Sequence, residues 1–261
     1  MELGLRGKTA VITGGSRGIG LATAYKFLEE GARVALCARD TGVLAAAREA
    51  LSKWGDVLAL ERDATDAAAM LRFAQETADH FGGVDFWVNN VGAGVKRAGE
   101  AYTPAEVRQT VALCFDAAVF GCQAAYSVMK GRGGAIVNVS SLAARCGTAG
   151  RSTLYGPLKA AVRELAVMFA AEYAADGIRV NSVLPGFTLT PAVEKTITPE
   201  ELHRNIMGTL LRRAAQPEEI AWPIVFLCSS RASFVTAASL EVSGGRSVVL
   251  NPEYSYLGKQ A

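Results

Sequence analysis

Short apolar runs recur along the chain, each followed by a longer segment in which apolar positions return every three to four residues. The runs are TAVIT from Thr9, RVALCA from Arg33, VLALE from Val57, DFWVN from Asp85, AIVNVS from Ala135, IRVNSV from Ile178 and SLEVS from Ser239. Most are too continuously apolar to alternate, as strands buried on both faces of a parallel sheet are. Segments between them, such as IGLATAYKFLEEGA and TGVLAAAREALSKWG, have amphipathic helical spacing and end near a glycine, the usual helix stop. This alternation predicts an α/β fold: one doubly wound parallel sheet of about seven strands with helices on both faces. The stretch 186–235 has no clear strand and reads as a substrate loop, about 187–213, followed by a helix, PEEIAWPIVFLCSS, packed on the sheet. No repeat or linker marks a second domain, so 1–261 is read as a single unit with a C-terminal tail of about 248–261.

Half of the 261 residues are apolar and a fifth are charged, enough for a large core and against disorder. Lys and Arg number 27 against 25 Asp and Glu, a net +2, so nothing points to a nucleic acid or an anionic membrane as partner. The cysteines Cys37, Cys114, Cys122, Cys146 and Cys228 are scattered without a C-x-x-C, and His80 and His203 lie far apart. Neither a disulfide framework nor a metal site is expected, and a reducing cytoplasm fits best. The start, MELGLRGKTAVITGG, lacks a signal peptide's apolar stretch, and no segment reads as an uninterrupted membrane span.

The first strand runs into TGGSRGIG, residues 13–20, and then into a helix starting near Ile19. Gly14, Gly18 and Gly20 allow a tight turn and a close ligand approach. The helix start then aims unpaired N–H groups and a positive dipole end at a pyrophosphate. A glycine pattern placed after a strand and before a helix is the context of a Rossmann-like dinucleotide site. An NAD site wants a carboxylate at the end of the second strand for the ribose hydroxyls. Here Arg39 follows Ala38, and Arg17 lies in the glycine loop; two guanidiniums suit a 2′-phosphate. Asp40 is the counter-candidate for the NAD carboxylate, and its simpler role is to cap the next helix. NADP(H) is therefore favoured.

YGPLK, residues 155–159, sets Tyr155 and Lys159 four apart on one helix face. Tyrosine's ordinary pKa of about 10 is too high for a base at neutral pH, and a nearby ammonium favours the phenolate. The pair then serves as a proton donor and acceptor. Pro157 is tolerated only in a first helical turn, so the helix is expected to begin near Tyr155, with Ser152 or Thr153 as a cap. Upstream, AIVNVSS ends in Ser140 and Ser141, at a strand's carboxyl end, where open parallel sheets bind ligands. No histidine and no G-x-S-x-G elbow stands by to make either a nucleophile.

Taken together, these residues resemble the classical short-chain dehydrogenase/reductase family over about residues 7–247. The matching motifs are TGGSRGIG, Asp63 in ERDATD, NNVG at 89–92, Ser141, YGPLK, PGFTLT at 185–190, QPEEIA at 216–221 and SGG at 243–245. The resemblance implies Tyr155 as acid/base, Lys159 on the nicotinamide ribose and Ser141 on the substrate carbonyl, with Ser140 as the fallback serine. It implies a cofactor site of Gly14, Ser16, Arg17, Gly18, Ile19 and Gly20 in the loop, Arg39 beyond the second strand, and Asp63 with Ala64 near the adenine. Asn89, with Val91 and Gly92, would line the adenosine side; Pro185, Gly186, Thr188 and Thr190 would edge the nicotinamide.

The chain departs from the family in two side chains. An asparagine that holds a relay water is missing, and Cys114, or its neighbour Phe115, stands there; Ala237 replaces a common glycine. A thiol is a poor substitute for an amide in hydrogen bonding. Arg97, Arg145 and Arg151 fall in the segments expected to wall the substrate pocket, as solvated loop residues or as partners of an anionic substrate. The leading expectation is a cytoplasmic ketone reductase moving hydride between NADP(H) and a carbonyl or secondary alcohol, assembled as a homotetramer or homodimer. The competing readings are a non-catalytic NADP(H) sensor and a non-redox lyase or isomerase on the same fold.

Overall fold

Every strand read from the apolar runs forms, and all lie in one parallel sheet. A computed structural model describes residues 2–95, 99–147, 153–246, 248–249 and 251–257. The strands are β1 (Thr9–Thr13), β2 (Arg33–Ala38), β3 (Val57–Glu61), β4 (Phe86–Asn89), β5 (Gly134–Val139), β6 (Ile178–Pro185) and β7 (Ser239–Val242). Their order is β3-β2-β1-β4-β5-β6-β7. The order reverses between β1 and β4, which pair in register from Ala10 with Phe86 to Thr13 with Asn89. That reversal opens a crevice at the carboxyl ends of the strands, where such sheets bind ligands.

The helices are α1 (Gly18–Glu29), α2 (Thr41–Leu51), α3 (Ala67–Phe81), α4 (Pro104–Val111), α5 (Ala117–Met129), α6 (Tyr155–Tyr173), α7 (Pro191–Glu194), α8 (Pro199–Met207) and α9 (Pro217–Cys228). Strand alternation divides the core into two layers. Ile12, Leu36, Val88 and Val137 meet Phe27 of α1 and Ile220 and Ile224 of α9 on one face. Val11, Trp87 and Ile136 meet Phe73 of α3, Met129 of α5 and Phe169 of α6 on the other. Fully burying one such large side chain contributes about 1.5–3 kcal/mol, so the sheet is a rigid base for the loops at its carboxyl edge.

Side-chain caps are distributed unevenly. Asp40, Asp66, Thr103 and Thr198 accept backbone N–H groups at the starts of α2, α3, α4 and α8. The starts of α1 (at Arg17) and α6 (at Leu154) have no side-chain cap bond, and both face the crevice. The cap expected for α6 is thus corrected. Thr153 instead gives its backbone N–H to the Tyr102 hydroxyl at 3.0 Å, and Ser152 lies outside the described residues. Asp40 takes its capping role, accepting from Val43 N at 3.0 Å.

The apolar stretch before β5 packs into the fold. The helical stretch Pro104–Met129 has the length and mean hydropathy, 1.5, of a membrane-crossing helix. In the fold it joins α4 to α5 through a π-helical turn, Ala112–Asp116, and α5 packs on α3 and β4. Its apolar residues include Ala117, Cys122, Ala125 and Met129 of the core.

Candidate active site

The glycine loop is tied to the neighbouring strand by Asn90, which the sequence reading did not single out. Asn90 Nδ2 donates to the carbonyls of Thr13 (3.2 Å) and Gly14 (3.0 Å), and its backbone N–H donates to Thr13 Oγ1 at 3.1 Å. Gly14 and Gly18 have φ of +64° and +55°, a conformation that side chains with a Cβ resist. Thr190 closes over the loop, its Cγ2 lying 3.4 Å from where a Cβ on Gly18 would stand. An uncapped helix start, two left-handed glycines and a bracing asparagine fit a dinucleotide pyrophosphate.

Asn89 is placed differently from the expectation that it lines the adenosine side. Its Oδ1 accepts from Trp87 Nε1 at 2.8 Å and its Nδ2 donates to Asn138 Oδ1 at 2.9 Å, deep between β4 and β5. Trp87 and Asn89 are two apart, so one face of the strand carries both, and Asn89 is buried there. Thr188 lies buried beyond β6, its hydroxyl donating to Gly186 O at 3.3 Å, and Gly186 N donates to Val242 O.

Arg39 extends past β2 with its guanidinium 3.8 Å from Asp63. Asp63 is braced by Thr65, which donates through its N–H (2.9 Å) and hydroxyl (2.8 Å). The cavity there, about 480 Å³, is lined by Arg39, Glu61, Arg62, Asp63, Ala69 and Arg72. Arg62 is engaged by Glu76 through contacts of 2.7 and 2.9 Å. The region is rich in guanidinium donors, with Arg62 and Arg72 added to the expected Arg39.

At the other end of the crevice the structure brings Ser141, Tyr155 and Lys159 to neighbouring elements. Ser141 follows β5 and caps a 3-10 turn, Leu142–Ala144, accepting from Ala143 N at 3.1 Å. Tyr155 is the first residue of α6, with Pro157 in the first turn. Gly156 explains the rest of YGPLK: a Cβ there would stand 2.9 Å from the Ala143 carbonyl oxygen. The glycine therefore lets the start of α6, which carries Tyr155, press against the turn that Ser141 caps.

Lys159 is buried, donates to Val139 O at 2.8 Å, and holds its Nζ 5.8 Å from the Tyr155 ring centroid. Burial pushes its pKa below the ordinary 10.5, opposed by the nearby Cys114. Gly92 makes room for it, since a Cβ would stand 2.4 Å from Nζ. The two adjacent serines separate by their partners. Ser140 is buried, with its hydroxyl donating to Lys159 O at 2.6 Å, so it braces α6 and leaves Ser141 nearer the crevice.

Cys114 sits within the π-helical turn, a feature common at functional sites, and its thiol donates to Ala93 O at 3.2 Å. Burial pushes the thiol's pKa up, against the pull of Lys159. Of the three pocket arginines, Arg145 lies 3.5 Å from Glu241, an ion pair linking the serine loop to β7; Arg97 and Arg151 lie outside the described residues.

With this geometry in place, comparison with known proteins gives the family. Residues 14–247 match the family model described as Enoyl-(Acyl carrier protein) reductase. The chain is 35% identical over 247 residues to an NADP-dependent (R)-specific alcohol dehydrogenase of Lentilactobacillus kefiri, covering 92% of this chain and 97% of that one. Among solved structures it is similar to a 7 alpha-hydroxysteroid dehydrogenase complexed with NADH and 7-oxo glycochenodeoxycholic acid, with TM-score 0.88, 31% identity, and coverage of 96% and 98%. It is also similar to a Pseudomonas aeruginosa RhlG/NADP active-site complex, with TM-score 0.87, 29% identity, and coverage of 94% and 98%. The chain belongs to the short-chain dehydrogenase/reductase family. Its fold and relatives make it an oxidoreductase of CH–OH groups that uses a nicotinamide cofactor.

Proposed function

We propose that this chain is a ketone reductase acting reversibly between NADP(H) and a carbonyl or secondary alcohol. The observation that carries the reading is the buried Lys159 ammonium beneath Tyr155 at the uncapped start of α6, beside Ser141. When bound, NADP(H) supplies or accepts the hydride. In the reducing direction Tyr155 gives its hydroxyl proton to the carbonyl oxygen, and Ser141 donates a hydrogen bond to the same oxygen. Lys159 offsets the negative charge left on Tyr155, and its ammonium end occupies the space that Gly92 leaves open. In the oxidising direction the phenolate takes the alcohol proton, so the same pair serves both directions.

The glycine loop with Gly14, Ser16, Arg17, Gly18, Ile19 and Gly20 would hold the pyrophosphate. Asp63, Ala64 and the backbone of Asn89, Val91 and Gly92 would line the adenosine. Pro185, Gly186, Thr188 and Thr190 would edge the nicotinamide. Preference for NADP(H) rests on Arg39 and Arg17, and is supported by Asp40 being held by the α2 cap. The segment 187–213 forms the substrate lobe. Assembly as a homotetramer or homodimer in the cytoplasm completes the proposal, supported by the half-exposed Trp222, Phe226 and Leu240 along α9 and the edge strand β7. The test is consumption of NADPH against a panel of ketones and aldehydes, run in parallel with NADH. Turnover faster with NADPH is the expected result; no turnover with either cofactor despite tight NADPH binding would favour the sensor reading instead.

A further inference from the structure

The chain after β7 returns across the substrate lobe of the same molecule. Arg246 Nη1 donates to Asn205 at the last turn of α8, to its carbonyl oxygen at 3.0 Å and its Oδ1 at 2.8 Å. The backbone N–H groups of Leu210 and Leu211 donate to Gly244 O at 2.9 and 3.3 Å. Further along, the Tyr256 hydroxyl donates to Leu210 O, and the Arg212 guanidinium stacks 4.7 Å from the Tyr256 ring centroid. Arg212 itself has a φ of +52°, a strained value for a residue with a Cβ, and it donates to Met207 O.

These contacts gather at one place, the last turn of α8 and the turn 207–212 that follows it. None of the residues of α8 is buried, so the helix has no core of its own to fix its position. Its amino end is closed by the local Thr198–Glu201 capping box. The helix is therefore held at its carboxyl end, where Thr209 is buried with its hydroxyl on Ile206 O and Arg213 O and the C-terminal segment adds its bonds from outside.

We propose that the C-terminal segment, through Gly244, Arg246 and Tyr256, acts as a strap that sets the position of the substrate lobe, with Tyr256 as its positioning residue. Tyr256 acts through the turn 207–212, on Leu210 and Arg212. Its bonds go to a backbone carbonyl and a guanidinium, so the hold does not depend on the side chains α8 presents to a substrate. The strap sets how readily the lobe closes over a ligand, while hydride and proton transfer stay with the sheet-borne groups.

The kinetic consequence rests on the reductase reading above; the structural one does not. The experiment uses the full-length protein, Tyr256→Phe, Tyr256→Ala and a chain ending at residue 250. Amide hydrogen exchange is followed without substrate, and kcat and KM are measured with a ketone found in the panel. Because Tyr256 is 44% exposed, its substitution leaves the core intact even if the shortened chain fails to fold. Tyr256→Ala should speed exchange across 199–213 about tenfold without changing the strands, with Tyr256→Phe in between. KM should rise about tenfold while kcat changes less than about twofold. Unchanged exchange in the lobe of Tyr256→Ala overturns the strap. Faster exchange there in a protein that turns over no ketone sustains the strap and counts against the reductase reading alone.

Discussion

The two walls of the crevice are held in opposite ways. On the sheet side, Lys159 and the residues that brace the site are bonded to backbone carbonyls. Lys159 is anchored on Val139 O, Ser140 on Lys159 O, and Asn90 on Thr13 O and Gly14 O. On the lobe side, α8 has no fully buried residue and is bonded at its end by Arg246 and, through the turn that follows, by Tyr256. Near-attack geometry tolerates little error in the first wall, whereas recognition can be varied on the second without disturbing it. Such a division suits a fold whose relatives include both an alcohol dehydrogenase and a hydroxysteroid dehydrogenase.

Substitutions on the two sides sharpen that contrast. The largest effect below the catalytic residues themselves is expected at Gly156. Alanine there meets the Ala143 carbonyl at 2.9 Å, a backbone atom that cannot swing aside, so Tyr155 is displaced from Ser141. A misplacement of about 1 Å costs on the order of a hundredfold in rate. Gly156→Ala should lower kcat by about 10–100-fold with NADPH affinity unchanged in a fluorescence titration; an unchanged kcat would show that the approach of α6 to the serine turn does not set the geometry.

Next in size is Arg39. A charge-assisted hydrogen bond contributes about 1.5–3 kcal/mol, so Arg39→Ala should reduce the NADPH-to-NADH ratio of kcat/KM by about tenfold or more. Arg212→Gly, on the lobe side, should leave that ratio alone. If both variants shift it equally, the two walls are not independent.

A pH experiment separates chemistry from stability at Lys159. Its folded pKa lies below the ordinary 10.5 because burial disfavours the ammonium. Between the folded value and 10.5 the unfolded chain binds more protons, so this residue's contribution to stability rises with pH. Over the same window Tyr155 loses its neighbouring cation, so turnover falls. Comparing thermal melting and kcat of the protein with Lys159→Met as the pH is raised toward 10.5 should show the two trends diverging. A wild-type kcat that holds level until pH 10.5 would contradict the burial effect.

The smallest effect belongs to Ala237, whose φ of +56° accounts for the glycine that the family commonly has there. A left-handed residue with a Cβ costs about 1–2 kcal/mol, partly offset by the extra unfolded-state freedom of glycine, about 0.4–1 kcal/mol. Ala237→Gly should raise the melting temperature by about 2 °C with kinetics unchanged; a lower melting temperature would mean that the alanine methyl has packing worth more than the strain.

The sequence displays the sheet well because strands buried on both faces leave uninterrupted apolar runs, and TAVIT through SLEVS mark β1 to β7. It also displays TGGSRGIG and the pair Tyr155 and Lys159, since their spacing is local. Features that depend on distant backbone are hidden. Gly156 makes sense only once Ala143 is known to lie against it. The roles of Ser140 and Ser141 divide only when Lys159 O is placed. The inward Asn89 was within reach, because it shares a strand face with Trp87, whose indole needs an acceptor. The π-helical turn at Cys114 leaves the apolar periodicity almost unchanged, and the tail's course over the lobe has no periodic signal at all.

The account stands on Tyr155 as the proton carrier, and steady-state kinetics of Tyr155→Phe with saturating NADPH and a ketone substrate tests this most directly. General acid–base groups contribute about 10²–10⁴-fold. The account predicts a fall in kcat of about a thousandfold, with NADPH binding retained. A variant that turns over within about threefold of the parent protein, on that same scale, would contradict it and place the proton transfer elsewhere in the crevice.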